Sequence, residues 1–182
     1  MIHETAIVDK KAKISDSAVI GPYSIIGPHV EIEDGSEIQS HVILQGDTTI
    51  GKNTKIFPFA SIGTSPQDLK YSGEQTKLEI GNNNIIREYV TINIGTQGGG
   101  GITKIGNSNL IMIGAHIAHD CKIGNNTVIA NSAAIAGHAE IADDVSIGGN
   151  CGIQQFTRIG KMAMIGGMTA VSRDVIPYGL SF

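Results

Sequence analysis

The sequence predicts a parallel β-helix of hexapeptide repeats, and three observations carry that prediction. From Ile105 to Val171 an aliphatic residue stands at every sixth position, through Ile111, Ile117, Ile123, Ile129, Ile135, Ile141, Ile147, Ile153, Ile159 and Ile165. Four residues after such positions stand small or short side chains, among them Ala115, Cys121, Thr127, Ala133, Ala139, Cys151, Thr157 and Ala163. The 182 residues include 24 Gly, no Trp and 4% aromatics, too few large side chains for an ordinary globular core but suited to a thin prism filled by stacked Ile and Val. A period of six belongs to neither an amphipathic helix nor an alternating strand. Each repeat therefore reads as one short strand and one turn, with the aliphatic residue inward and the small one where the chain bends.

Taken in order, the repeat begins at Ile2 and runs through Val8, Ile14, Ile20, Ile26, Ile32, Ile38, Leu44, Ile50 and Ile56 to Ile62. Pro22, Pro28 and Pro58 stand two residues after a core Ile, where a turn uses a fixed φ. The aliphatics vanish in Thr64–Lys77, and Asp68 and Glu74 occupy core phase; this predicts an outward loop at about 64–77, a place where function often resides. The repeat resumes at Ile80, Ile86 and Ile92. Ile105 then follows Ile92 by 13 residues, one more than two repeats, across Gly98 to Gly101. That predicts a second loop at about 95–103. It is no phosphate loop, because the Gly-Lys-Ser/Thr ending is missing and no helix follows. The chain reads as one domain over 1–182, with 26 core aliphatics making roughly nine coils. At the inter-strand spacing this is a prism on the order of 40 Å tall. Solenoid ends need caps, and none is evident after Val171, so something further or a partner is expected to cover that end.

Composition excludes several classes. A net charge of −4, from 13 Lys and Arg against 17 Asp and Glu, is not that of a nucleic-acid binder. No apolar run approaches membrane-spanning length and the N-terminus is not a signal peptide, so a cytoplasmic protein without a membrane span is expected. Cys121 and Cys151 lie five repeats apart. With three repeats per coil they fall on different faces, beyond the roughly 7 Å that a disulfide bridges, and read as buried structural thiols.

Of six histidines, His3, His29 and His41 are scattered through the early coils as surface residues, whereas His116, His119 and His138 cluster. Stacking by 18 residues sets His119 over Gly137 and Gly137 over Gln155. It likewise sets Asp120 over His138 and His138 over Phe156. The patch joins an imidazole, a carboxylate able to orient it and a glycine amide, the parts of a general base beside an oxyanion donor. The plainer reading is a set of exposed polar residues on a solenoid face. A zinc site competes, but His116 and His119, three apart, point to opposite faces of a strand unless a turn intervenes, and zinc needs converging nitrogens. A second column, Asn131, Gly149 and Gly167, leaves bare backbone along one edge, either plain tight turns or a groove for an unbranched chain. In the latter case Gly167 sets chain length.

Several segments are more specific than the repeat: Gln67-Asp68-Leu69-Lys70-Tyr71-Ser72-Gly73-Glu74, Ile86-Arg87-Glu88-Tyr89-Val90-Thr91-Ile92, Gly98 to Gly101, Ala115-His116-Ile117-Ala118-His119-Asp120-Cys121 and Ala136-Gly137-His138. With these the chain resembles the UDP-N-acetylglucosamine O-acyltransferases that begin lipid A synthesis. The resemblance implies a left-handed β-helix, against the usual right-handed crossover, and a homotrimer with active sites between subunits. It implies a (3R)-hydroxyacyl acyl carrier protein as donor, the glucosamine 3-hydroxyl of UDP-N-acetylglucosamine as acceptor, and no cofactor. His119 matches the family's general base, Asp120 its partner and Gly137 its oxyanion amide. Gln67, Asp68, Lys70, His116, His138 and Gln155 match positions that line the substrate sites. Asn93 and Gln154 stand where relatives often carry His, so substrate contacts are expected to differ there. The family continues into a C-terminal helical domain, whereas this sequence stops at Phe182. Rival functions are a metal-dependent hydratase like the gamma-class carbonic anhydrases, and a noncatalytic trimeric fragment. The sister N-acyltransferases are disfavoured because they carry an extra N-terminal domain.

Overall fold

Two-residue strands alternate with four-residue turns along almost the whole chain, which a computed structural model describes over residues 1–182. In a strand such as His116–Ile117 the first side chain faces outward and the second inward. Each coil gives one strand to each of three parallel sheets. The first sheet has nine strands, from Ile7–Val8 to Ala170–Val171; the second has eight, from Lys13–Ile14 to Arg158–Ile159; the third has nine, from Val19–Ile20 to Leu180–Ser181. Register pairs Ile117 with Ile135 and Ile135 with Ile153, so the 18-residue stacking holds in the upper coils. The architecture is the left-handed parallel β-helix of hexapeptide repeats.

The prism is filled by the inward aliphatics: Ile20, Ile38, Ile56, Ile86, Ile111, Ile129 and their equivalents are buried. Each such side chain contributes about 1.5–3 kcal/mol on leaving water. The small residues four places on, including Ala115, Ala133, Ala139 and Thr157, are also buried, because the bend leaves room for little more. Cys121 and Cys151 occupy this position as free, buried thiols.

The turns follow one plan. The third residue after the inward one adopts positive φ, as at Tyr23, His41, Asp120, His138 and Phe156. Its N–H donates to the coil beneath: His138 N–H to the His119 carbonyl at 3.0 Å and Phe156 N–H to the Gly137 carbonyl at 3.2 Å. The residue before it needs no acceptor for its own N–H. That is why Pro22, Pro58 and Pro177, which have none, are tolerated there; Pro28 takes the same place in a turn whose next residue, His29, is not at positive φ.

Two coils break the 18-residue rule. Ile62 pairs with Ile92, 30 residues on, so twelve residues leave the helix; they are 65–76. Ile80 pairs with Ile105, 25 residues on, so seven extra residues are spent between Asn93 and Ile102. The first insertion equals two repeats in length, and that is why the phase survives it. The 13-residue step after Ile92 is not two repeats and a spare residue, as counting suggests, but one repeat and a seven-residue insertion. Thr103, inside the span read as loop, is strand and buried. Both excursions leave between the first and second sheets.

The outward faces differ in chemistry. The second sheet is charged, with Lys13–Glu31, Lys104–Glu79 and Lys122–Glu140 ion pairs at 3.4, 3.7 and 2.9 Å, exposed and each of small energetic weight. The first sheet presents Ile7, Ile25, Ile43, Ser61, Thr91, His116, Ala134, Gly152 and Ala170, with no Lys, Arg, Asp or Glu among them. No helix is long and apolar enough to cross a membrane.

Candidate active site

The corner between the first and second sheets collects the chemistry. The strand His116–Ile117 ends at Ala118, and the turn that follows carries His119 and Asp120. His119 is 7% exposed and Asp120 4% exposed, low values for polar residues on a turn. Asp120 is covered by the 94–101 excursion, whose Thr96 and Gly99 lie against its carboxylate. Asp120 Oδ2 lies 2.7 Å from His119 Nδ1. Asp120 Oδ1 accepts the Thr96 N–H at 2.8 Å, Oδ2 accepts the Thr96 hydroxyl at 2.6 Å, and the Asp120 N–H donates to Thr103 Oγ1 at 2.8 Å. A carboxylate so surrounded is compensated for its burial. It can fix the proton of His119 on Nδ1 and leave Nε2 as acceptor.

One coil along, Gly137 underlies the His119 ring. A Cβ on Gly137 would meet His119 Cε1 at 2.7 Å and Nε2 at 2.8 Å, so only glycine permits this approach. The Gly137 N–H occupies the turn position that prolines fill elsewhere and donates to no acceptor in the chain. The imidazole thus lies against the backbone of a glycine whose amide is unpaired. His138 follows on the same turn, its ring edge-on to His119 at 5.1 Å between centroids and stacked on Phe156 at 4.3 Å.

His138 borders an open cleft of about 700 Å³ lined by Asp68, Lys70, Glu74, Thr96 and Phe156 among others, with His119, Asp120 and Gly137 behind its wall. The 65–76 excursion forms its other wall. Asp68 Oδ1 accepts the Lys70 N–H at 2.9 Å, and the Tyr71 hydroxyl donates to the Glu74 carbonyl at 3.1 Å. Glu74 Oε1 accepts the Gln97 N–H at 3.4 Å, tying one excursion to the other. The Ser72 N–H donates to the same carboxylate and is the main cause of its lowered pKa. A groove of about 690 Å³ on the second sheet, with Lys104, Lys122, Glu140, Arg158 and Asp174, is remote from this corner.

The structure therefore unites His119, Asp120, Gly137 and His138, and brings Asp68 and Lys70 to the cleft that His138 lines. Gln67 is exposed on the excursion and does not line the cleft; Gln155 is exposed on the turn next to Gly137. His116 stands on the outer face of the first sheet, its Nδ1 2.8 Å from Thr91 Oγ1. Burial, and then the neighbouring His119, lower its pKa. His116 and His119 are thus neighbours rather than on opposite faces, since the strand ends between them and alternation with it. Gly149 and Gly167 lie between the third and first sheets, a different corner from His119, with the Gly149 carbonyl 3.5 Å from a Cβ built on Gly167. The bare strip exists, but within one protomer the first sheet separates it from the base.

Thr96, Thr103 and Glu74 have roles that sequence reasoning missed. The signal for Thr96 was its place just before the glycines, where a hydroxyl caps a tight turn; its side chain accepts the Gly99 N–H at 3.2 Å. Asn93 is buried, and its Nδ2 donates to the Thr64 carbonyl, Thr64 Oγ1 and the Ser65 carbonyl at 3.3, 3.2 and 3.1 Å. It braces the root of the first excursion rather than facing the cleft, whereas Gln154 is exposed. His119, Asp120 and His138 could in principle gather a metal. Asp120 and His119 Nδ1 are engaged with each other, however, so the cluster does not present three free ligands.

Residues 102–137 match the family of bacterial transferase hexapeptide (six repeats), and residues 2–62 match the GMPPB C-terminal domain. Among solved structures the chain is similar to a UDP-N-acetylglucosamine O-acyltransferase from Moraxella catarrhalis. The two share 51% identity over 98% of this chain and 70% of that one, with a TM-score of 0.97. It is likewise similar to LpxA from Acinetobacter baumannii, at 50% identity over 98% and 69% of the two chains and a TM-score of 0.96. A third, a UDP-N-acetylglucosamine acyltransferase, gives 49% identity over 99% of this chain and 70% of that one with a TM-score of 0.98.

Proposed function

Because this chain belongs to the UDP-N-acetylglucosamine acyltransferase family, we propose that it moves a (3R)-hydroxyacyl group from acyl carrier protein to the 3-hydroxyl of UDP-N-acetylglucosamine, the first step of lipid A synthesis, with His119 as general base. The observation that carries the site assignment is the His119 ring, anchored through Nδ1 to buried Asp120 and lying against Gly137, whose amide is unpaired. In this reading Nε2 takes the proton of the sugar hydroxyl as its oxygen attacks the thioester carbonyl carbon. The carbonyl oxygen becomes an oxyanion met by the Gly137 N–H. Collapse expels the carrier's thiolate, which recovers the proton from His119, leaving an ester and a free thiol. Asp68, Lys70 and His138 border the acceptor cleft, and Gln67 and Gln155 are close enough in the chain to join them on binding.

The working unit is a homotrimer in this reading. The uncharged outer row of the first sheet supports burial against a second copy, whereas the ion-paired second sheet suits water. Association through the first sheet and its neighbouring corner also offers a way for one protomer's Gly149–Gly167 strip to approach another's His119; His116, on that face, would stand between them. The metal-hydratase reading is not favoured by the ligand set.

The test is His119→Ala in the purified protein with acyl carrier thioester and nucleotide sugar. A positioned base contributes about 10²–10⁴-fold, so kcat should fall by that order with assembly intact. His119→Asn should be equally poor, while His138→Ala should act mainly on KM. Near-normal turnover by a folded His119→Ala protein would refute the mechanism.

A further inference from the structure

We infer that Thr96 is a positioning residue for the reaction, setting the tautomer of His119 through Asp120, and that the glycine-rich excursion serves to seat it. The inference rests on His119 being the base. Asp120 has a side chain with no exposed surface, and Thr96 meets both of its oxygens, with the backbone N–H on Oδ1 at 2.8 Å and the hydroxyl on Oδ2 at 2.6 Å. The hydroxyl has one proton. Its oxygen already accepts the Gly99 N–H at 3.2 Å, so that proton is directed to Asp120. Oδ2 is then an acceptor from two sides, and the second donor is His119 Nδ1 at 2.7 Å. The order of donation runs Gly99 N–H to Thr96 Oγ1, Thr96 O–H to Asp120 Oδ2, and His119 Nδ1–H to the same oxygen. Nε2 is left with its lone pair free, on the ring edge that lies against Gly137.

The excursion is shaped for this contact. Its Gln97–Gly99 turn is capped by Thr96, and Gly99 lies so close to Asp120 that a methyl group there would land on the carboxylate. The carbonyl of Thr96 also accepts the N–H groups of Gly99 and Gly101 at 3.1 and 2.8 Å, which folds the segment back. Glycine at 99 is thus demanded by Asp120, not by a phosphate. Without the Thr96 hydroxyl, Oδ2 loses a donor in a site where the Asp120 side chain has no exposed surface; the Thr96 N–H still holds Oδ1, but His119 Nδ1 alone then fixes Oδ2 and the carboxylate can rotate about the Oδ1 contact.

The experiment combines nitrogen-15 NMR of the histidine ring with kinetics. In the wild-type protein the His119 ring should be the Nδ1–H tautomer, and an Nε2–H tautomer there would overturn the inference without any variant. Thr96→Val should lower kcat about tenfold with KM little changed and give a mixture of tautomers. Thr96→Ser, which keeps the Oγ, should restore both. Gly99→Ala, which keeps the hydroxyl but crowds the carboxylate, should also lower kcat and not KM. Wild-type kcat and an unchanged tautomer in a folded Thr96→Val or Gly99→Ala protein would overturn it. If His119→Ala is inactive while Thr96→Val is normal, only this inference falls. If His119→Ala is active, the parent mechanism falls.

Discussion

Gly137→Ala is the sharpest single perturbation of the site because it alters position and little else. Gly137 does not lie at positive φ, so alanine is free to adopt its backbone. The new Cβ would stand 2.7 Å from His119 Cε1 and 2.8 Å from Nε2, where ordinary contact begins at 3.4 Å. The ring must therefore retreat by about 0.7 Å, the difference between 3.4 and 2.7 Å. It is tethered at Nδ1 to Asp120, so the retreat comes as a tilt that swings Nε2 away from Gly137 and strains the 2.7 Å hydrogen bond. Misplacement approaching 1 Å costs up to about 10²-fold, and about tenfold to 10²-fold is expected here, equivalent to ~1.4–2.7 kcal/mol. The amide N–H is retained, so the loss reports on the base rather than the oxyanion donor. Steady-state kcat with saturating sugar and thioester is the readout, with a thermal melt to show that the fold survives. Gly27→Ala is the control: its Cβ meets only ordinary contacts, at 3.4 Å, in an early coil. A Gly137→Ala protein with kcat within about twofold of wild type would refute the claim that this glycine holds His119 in place.

Gly167→Met should shift donor preference toward shorter acyl chains, since it fills the bare strip beside Gly149; a competition assay with donors of graded length checks it, and an unchanged profile removes the strip from the site. Burial pushes the Cys121 thiol up to about 12, so it should resist alkylation at pH 8 in the folded protein and react only on denaturation, as mass spectrometry would record. His116 has a lowered pKa, so the native state binds fewer protons than the unfolded chain below about pH 6.5. Its contribution to stability is complete above that pH and is lost as pH falls toward its folded value. In denaturant titrations from pH 7 to pH 5, His116→Gln should flatten the slope; an unaltered slope would count against the burial.

Periodicity is enough to lay out the prism and most of one corner. Each turn repeats the last by translation, so a period of six places Ile117, Ile135 and Ile153 in one column, and a spacing of 18 sets Asp120 beside His138 and His119 over Gly137. The free amide of Gly137 was latent in the same pattern, because prolines at Pro22, Pro28 and Pro58 mark that turn position as one whose N–H has no backbone partner. The tertiary structure alone decided what the interruptions do. Counting cannot distinguish a repeat from a loop of repeat length, and so the steps across 65–76 and 94–101 were not assignable to coils before the pairing of Ile62 with Ile92 and Ile80 with Ile105 was seen. Thr96 and Asp120 are 24 residues apart, a separation that no 18-residue stack brings together. Their contact depends on a glycine-rich segment folding back on itself and burying a carboxylate, an aperiodic event that leaves no trace in the hydrophobic register.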